Sequence, residues 1–96
     1  MDIESVAGFE WDNGNIDHCQ KHGVTLREIE ALFSNTPHVL GDPFAEERRF
    51  RAIGRNNAKR FMYVVFMLRK RDAEFYIRPI SARYMHKKEI DHYEKT

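Results

Sequence analysis

The stretch RFMYVVFMLR, residues 60–69, decides how this chain folds. Its interior is continuously apolar or aromatic and rich in the residues that favour strands. With both faces apolar, it reads as the central strand of a sheet. Upstream, ERRFRAIG (47–54) alternates, with Phe50 and Ala52 on one face and Arg49, Arg51 and Ile53 on the other. Downstream, EFYIRPISAR (74–83) supplies a third strand. The connecting stretches RNNAK and RKRDAE are short and polar, which predicts antiparallel hairpins. Pro79 has no N–H to give to a ladder and predicts a sheet edge or a bulge. Beyond it the chain passes with almost no loop into a closing helix over 86–95, with Ile90 and Tyr93 turned inward.

The first half of the chain is patterned differently. Residues 1–7 read as a loose tail, and GFEWD as a brief strand or a hydrophobic anchor. NGNIDHCQKHG, bounded by asparagine and Gly23, fits a short helix. TLREIEALFSN is the best-specified element: Thr25 and Glu28 make a capping box, and Leu26, Ile29, Leu32 and Phe33 form one apolar stripe. Pro37 stops it, and PHVLGDPFAE reads as a loop. Helices followed by a meander predict one α+β domain over residues 1–96: a small antiparallel sheet with two N-terminal helices and a C-terminal helix.

Composition narrows the function. With 96 residues the chain has room for one compact core. It holds no apolar run of the ~18 residues a membrane span needs. The acidic N-terminus lacks the apolar stretch of a signal peptide, and Cys19 is the only cysteine, so a reducing, cytoplasmic setting is expected. His18 and His22 are four apart and would share a helical face. Only Asp17 or Cys19 stands beside them as a third ligand, so neither a metal site nor a cofactor is expected. Residues 1–47 carry two basic and ten acidic side chains, a balance of −8, whereas residues 48–96 carry fourteen basic and five acidic, a balance of +9. Either the basic half forms a phosphate-binding surface or the two halves neutralise each other across the fold.

FEWD, then KHGV before a capped helix ending in LF, then ER…IGR, VVF and ISAR…KE…YE follow one another from about Phe9 to Glu94. In this order and spacing they resemble the BrnT family, ribonuclease toxins of bacterial type II toxin–antitoxin systems. The resemblance implies a RelE-like fold, metal-independent endoribonuclease activity, and restraint by a ribbon-helix-helix antitoxin whose complex binds operator DNA. The chain departs from the family pattern at His18, at Thr36-Pro37, in a shorter loop before Glu46, and at His86.

RNA cleavage of this kind uses the substrate's own 2′-OH as nucleophile. The protein must supply a base, an acid and cations for the charged phosphorane. Arg83 ends a strand just before a helix N-terminus, where anions bind, and Ser81 shares its strand face. Its competing role is an ion pair with Glu89 or Glu94. Arg48, Arg49 and Arg51 offer phosphate contacts, with Lys87 and Lys88 in the first turn of the last helix, or else make an exposed, ion-paired face. Lys21 and His22, in the KHGV motif, can neutralise phosphate and move a proton; equally, they suit the end of a helix. Glu47, in the ER motif, and His86 complete the candidates for proton transfer. Glu89 and Tyr93 match the family and suit a capping carboxylate and a ring packed on the sheet. The rival reading is a non-catalytic basic module that serves only an antitoxin–DNA complex.

Overall fold

The structure, a computed structural model, describes residues 6–41 and 48–95. Along the chain run β1 (Gly8–Phe9), α1 (Ile16–Gln20), α2 (Leu26–Ser34), β2 (His38–Gly41), β3 (Phe50–Arg55), β4 (Phe61–Arg71), β5 (Glu74–Tyr84) and α3 (Lys87–Glu94). The strands form one sheet in the order β1-β5-β4-β3-β2, with β4 at its centre. This is the expected α+β arrangement with two corrections.

The sheet is mixed, not antiparallel. Gly8 and Phe9 lie parallel to β5, opposite Tyr76 and Ile77. A parallel neighbour needs a long crossover, which the whole intervening chain provides. The second correction is β2, within the stretch expected to be a loop, which pairs antiparallel with β3 so that Val39 faces Ala52. Three of its four residues are exposed, so no alternation of burial marks it in the sequence. Its order comes from the free hydrogen-bonding edge of β3.

Paired residues place Ala52, Met62, Val64, Phe66, Ile77 and Ala82 on one face, all buried, against Cys19, Val24, Ile29, Leu32 and Phe33. Phe33 meets Phe9 and Phe66 edge-on, with ring centroids 5.6 and 5.1 Å apart. Helix α2 begins as its sequence predicts. Thr25 Oγ1 accepts from the Glu28 N–H at 3.1 Å, and Glu28 Oε1 accepts from the Thr25 N–H at 2.9 Å. The other face of β4 differs from a two-sided core strand: Tyr63, Val65 and Met67 are only half-buried. Helix α3 approaches that face at one end, where Tyr93 packs edge-on to Phe61.

Pro79 does sit at a bulge. Val65 pairs with Ser81 and Phe66 with Pro79, leaving Ile80 out of register. Asn15, itself buried, donates to the Pro79 carbonyl at 2.9 Å and to the Glu10 carbonyl at 3.0 Å. Its Oδ1 accepts from the Asp12 N–H at 2.9 Å, so the side chain gives α1 no cap and instead ties it to β5. Cys19 is wholly inaccessible, and burial pushes its thiol up to about 11. A thiol-reactive chromogen should therefore leave the folded protein unmodified over minutes and react stoichiometrically once urea unfolds it. Fast labelling without denaturant would contradict this packing.

Candidate active site

Since β1 covers β5 only at Tyr76 and Ile77, the Ser81–Tyr84 end of β5 has no strand on its outer side among the described residues. There a cavity of about 310 Å³ is lined by His22, Arg60, Arg83, Tyr84, Met85 and His86. They come from three parts of the chain. His22 comes from the turn after α1, Arg60 from the β3–β4 connection, and Arg83 and Tyr84 from the end of β5. His86 is the residue that precedes α3.

Glu28 organises the inner wall. Besides capping α2, it accepts from Asn56 Nδ2 at 2.7 Å and from the Tyr84 hydroxyl at 2.7 and 2.8 Å. Asn56 Oδ1 in turn accepts from the N–H groups of Ala58 and Arg60, fixing the turn that carries Arg60. Burial works to raise the Glu28 carboxyl, but the hydrogen bonds from Thr25, Tyr84 and Asn56 outweigh it and hold it below its ordinary value. The same contact raises the Tyr84 phenol, so Tyr84 serves as a neutral hydroxyl. The Arg60 guanidinium lies 3.4 Å above the Tyr84 ring centroid, and no carboxylate among the described residues pairs with it.

Arg83 is gripped differently. Its two terminal nitrogens donate to Glu89 at 2.7 and 2.8 Å in a fork, and its guanidinium lies 4.9 Å from the Tyr63 ring centroid. Glu89 also accepts from the His86 N–H at 2.9 Å, which caps α3. The Arg83 fork, and then the His86 N–H, hold the Glu89 carboxyl at about 2. A carboxyl depressed in the folded state adds stability above its unfolded value and loses it as pH falls through the folded one. The Glu89 contribution should therefore disappear between about pH 4.5 and about pH 2. Melting temperatures followed by circular dichroism should fall less steeply over that window in Glu89→Gln than in the parent. Parallel curves would refute it.

The remaining candidates spread outward. Lys21 is exposed beside His22, and Lys87 and Lys88 are exposed in the first turn of α3. Ser81 and Arg51 flank Val65 on the half-covered face of the sheet. Arg48 is exposed ahead of β3. Arg49 lines a separate cavity of about 330 Å³ with His18 and Arg78. His18 and His22 thus face different cavities, because α1 ends at Gln20 before helical spacing can unite them. Glu47 lies outside the described residues. The Nε atoms of Arg49 and Arg51 are buried with no hydrogen-bond partner among the described residues. Tyr93 packs between His38 and Phe61, as a ring on the sheet.

Part of the charge asymmetry is neutralised across the fold, as one of the two expected patterns has it. Glu10 and Asp12 fold over the far end of the sheet and bind Arg69, Arg71 and Arg78 at 2.6 to 3.9 Å, which neutralises that region. Hydrogen bonding to Arg71 lowers the Glu10 carboxyl, and bonding to Arg78 brings Asp12 to about 2. The cations around Arg60, Lys87 and Lys88 are left outside this network.

Residues 11–89 match the model of the ribonuclease toxin, BrnT, of type II toxin–antitoxin systems. The chain belongs to this family. No curated protein matches it closely. A BrnT-family toxin has RNA as its target and an antitoxin as its partner. Among the described residues, no helix of this BrnT-family chain is long and apolar enough to cross a membrane. Three lining residues, Arg60, Tyr84 and Met85, are absent from the sequence-based candidates. Arg60 merely flanks an apolar run, and Tyr84 lies on the core face of β5, where alternation marks it as packing. Glu28 holds Tyr84 directly, and holds the turn of Arg60 through Asn56.

Proposed function

We propose that the chain acts as one cytoplasmic toxin domain over residues 1–96, an endoribonuclease that cleaves without a metal ion. In this reading one of His22 and His86 removes the proton from a substrate 2′-OH, and O2′ attacks the adjacent phosphorus. The other histidine protonates the departing 5′-oxygen, leaving a 2′,3′-cyclic phosphate. Arg60 and Arg83 stabilise the phosphorane, with Lys21, Lys87 and Lys88 drawing the strand in. Arg48, Arg49, Arg51 and Ser81 extend the phosphate path along the sheet. The observation that carries this is the meeting of two histidines with two arginines in one cavity. None of its lining residues is a carboxylate, the ligand a hard divalent cation would want.

Purified protein incubated with RNA in EDTA should yield fragments ending in 2′,3′-cyclic phosphate, and His22→Ala or His86→Ala should slow cleavage by about 10²-fold or more. Cleavage that EDTA abolishes, or intact RNA throughout, would defeat the proposal. Intact RNA would favour the non-catalytic module, for which the closure of the Arg83 fork by Glu89 speaks.

The antitoxin is proposed to be a ribbon-helix-helix protein whose acidic or amphipathic segment covers the cationic side, its dimer carrying the complex to operator DNA. Association should slow as salt rises, because exposed charges are screened over ~8–10 Å at ordinary ionic strength. Co-expression with a small neighbouring gene product and pull-down tests the pairing.

A further inference from the structure

A third cavity, larger than the candidate active site at about 550 Å³, lies between β2, the β3–β4 turn and α3. The mechanism above does not use it. Among its lining residues are His38, Arg55, Asn57, Lys59, Phe61 and Tyr93. We infer that this cavity is a nucleobase subsite for single-stranded RNA, holding a base of the substrate away from the scissile phosphate. The inference rests on the ribonuclease reading and names how the substrate strand is held.

Three observations support it. The first is aromatic. The Tyr93 ring lies 6.1 Å from His38 at a tilt of 31° and 6.0 Å from Phe61 at 79°. Three rings from β2, β4 and α3 thus converge at one opening, and unstacked bases are held by such rings. The second is charge. The Arg55 guanidinium lies 4.3 Å from the Phe61 ring centroid, in the position of a cation that can cover a stacked base. Its only carboxylate among the described residues is Glu94, at 3.8 Å with both side chains about half exposed, a pairing that solvent weakens. Lys59 is exposed at the rim in the left-handed region, with φ of 65°, held by its N–H to the Asn56 carbonyl at 3.0 Å. The third is polar. Asn57 Oδ1 accepts from Asn35 at 3.1 Å, which leaves the Asn57 amide N–H₂ as a donor for a base edge.

Position connects this cavity to the candidate active site. Lys59 and Phe61 line the larger cavity, while Arg60 between them lines the smaller. The Met85 N–H donates to the Phe61 carbonyl at 3.0 Å and fixes their common rim. A strand whose phosphate is held at Arg60 can therefore lay a neighbouring base beyond Phe61. Small molecules would not need this continuity; a polynucleotide does.

The test is fluorescence anisotropy with the full chain and a labelled 2′-fluoro RNA hexamer, which lacks the attacking hydroxyl, against an abasic hexamer of equal charge. The base-bearing probe should bind about tenfold tighter, as expected for stacking of one base. His38→Ala and Tyr93→Leu should abolish that difference, and Tyr93→Phe should keep it. His38 is exposed on an edge strand, so its variant reports binding even if Tyr93→Leu loosens α3. Equal binding of the two probes, or a difference that survives His38→Ala, overturns the subsite. Base-dependent binding lost in His38→Ala, together with absent cleavage, would sustain the subsite and reject the catalytic reading. Normal cleavage with no base dependence would do the opposite.

Discussion

Arg83→Ala should lower the rate of RNA cleavage by about 10²–10³-fold, the usual cost of removing one preorganised charge from a developing anion. Toxicity in cells should disappear with it. The fold should survive, because the Arg83–Glu89 pair leaves both side chains about one-third exposed, and such pairs add about 1 kcal/mol or less. Glu89 keeps its second bond, to the His86 N–H, so α3 retains its cap. Lysine should not rescue the variant, since one ammonium cannot reproduce the planar fork. A companion variant separates chemistry from scaffolding. If Arg83 only holds Glu89, then Glu89→Gln should lose activity in the same proportion. If Arg83 binds phosphate, Glu89→Gln should match or exceed the parent, because it removes a carboxylate that competes for the guanidinium. Full activity in soluble Arg83→Ala would take this residue out of the mechanism.

Phe66→Ala should destabilise the protein by about 3–5 kcal/mol, the range for deleting a buried aromatic ring. Phe66 is 1% exposed and stacks with Phe50 at 5.5 Å on one side while meeting Phe33 on the other. Small domains have only about 5–15 kcal/mol in hand, so the variant should lose a large fraction of its stability. Val65→Ala, one residue away on the half-covered face, should cost about 1 kcal/mol. Urea unfolding at constant m-value measures both. Equal midpoints for the two variants would mean that both faces of β4 are packed alike.

That contrast shows what the residue pattern of RFMYVVFMLR leaves open. Alternation assigns Met62, Val64 and Phe66 to one face and Tyr63, Val65 and Met67 to the other, but both sets are apolar. Nothing local says which will be covered. The stripe of Leu26, Ile29, Leu32 and Phe33 decides it, because α2 can bury that stripe only against one side of the sheet. The missed strand β2 has the same origin. His38–Gly41 carries no burial signal of its own and becomes a strand because β3 offers it a ladder.

By itself the sequence determined what depends on near neighbours: the capping box of Thr25 and Glu28, the strand core of β4, an interruption of the ladder at Pro79, and the family motifs that matched in order. Helix caps and strand alternation are set within a few residues, so they are written locally. The tertiary structure alone decided the parallel placement of Phe9 beside Ile77, which turned the sheet from antiparallel to mixed. It alone separated His18 from His22, and it alone brought His22 to Arg83 and His86 across some sixty residues of chain. Glu28 shows why. One carboxylate ends a helix, fixes the turn that carries Arg60 and holds the Tyr84 hydroxyl, three contacts whose partners lie up to 56 positions apart. Hydrogen bonds over such separations form only once the core has closed, so sequence spacing cannot encode them.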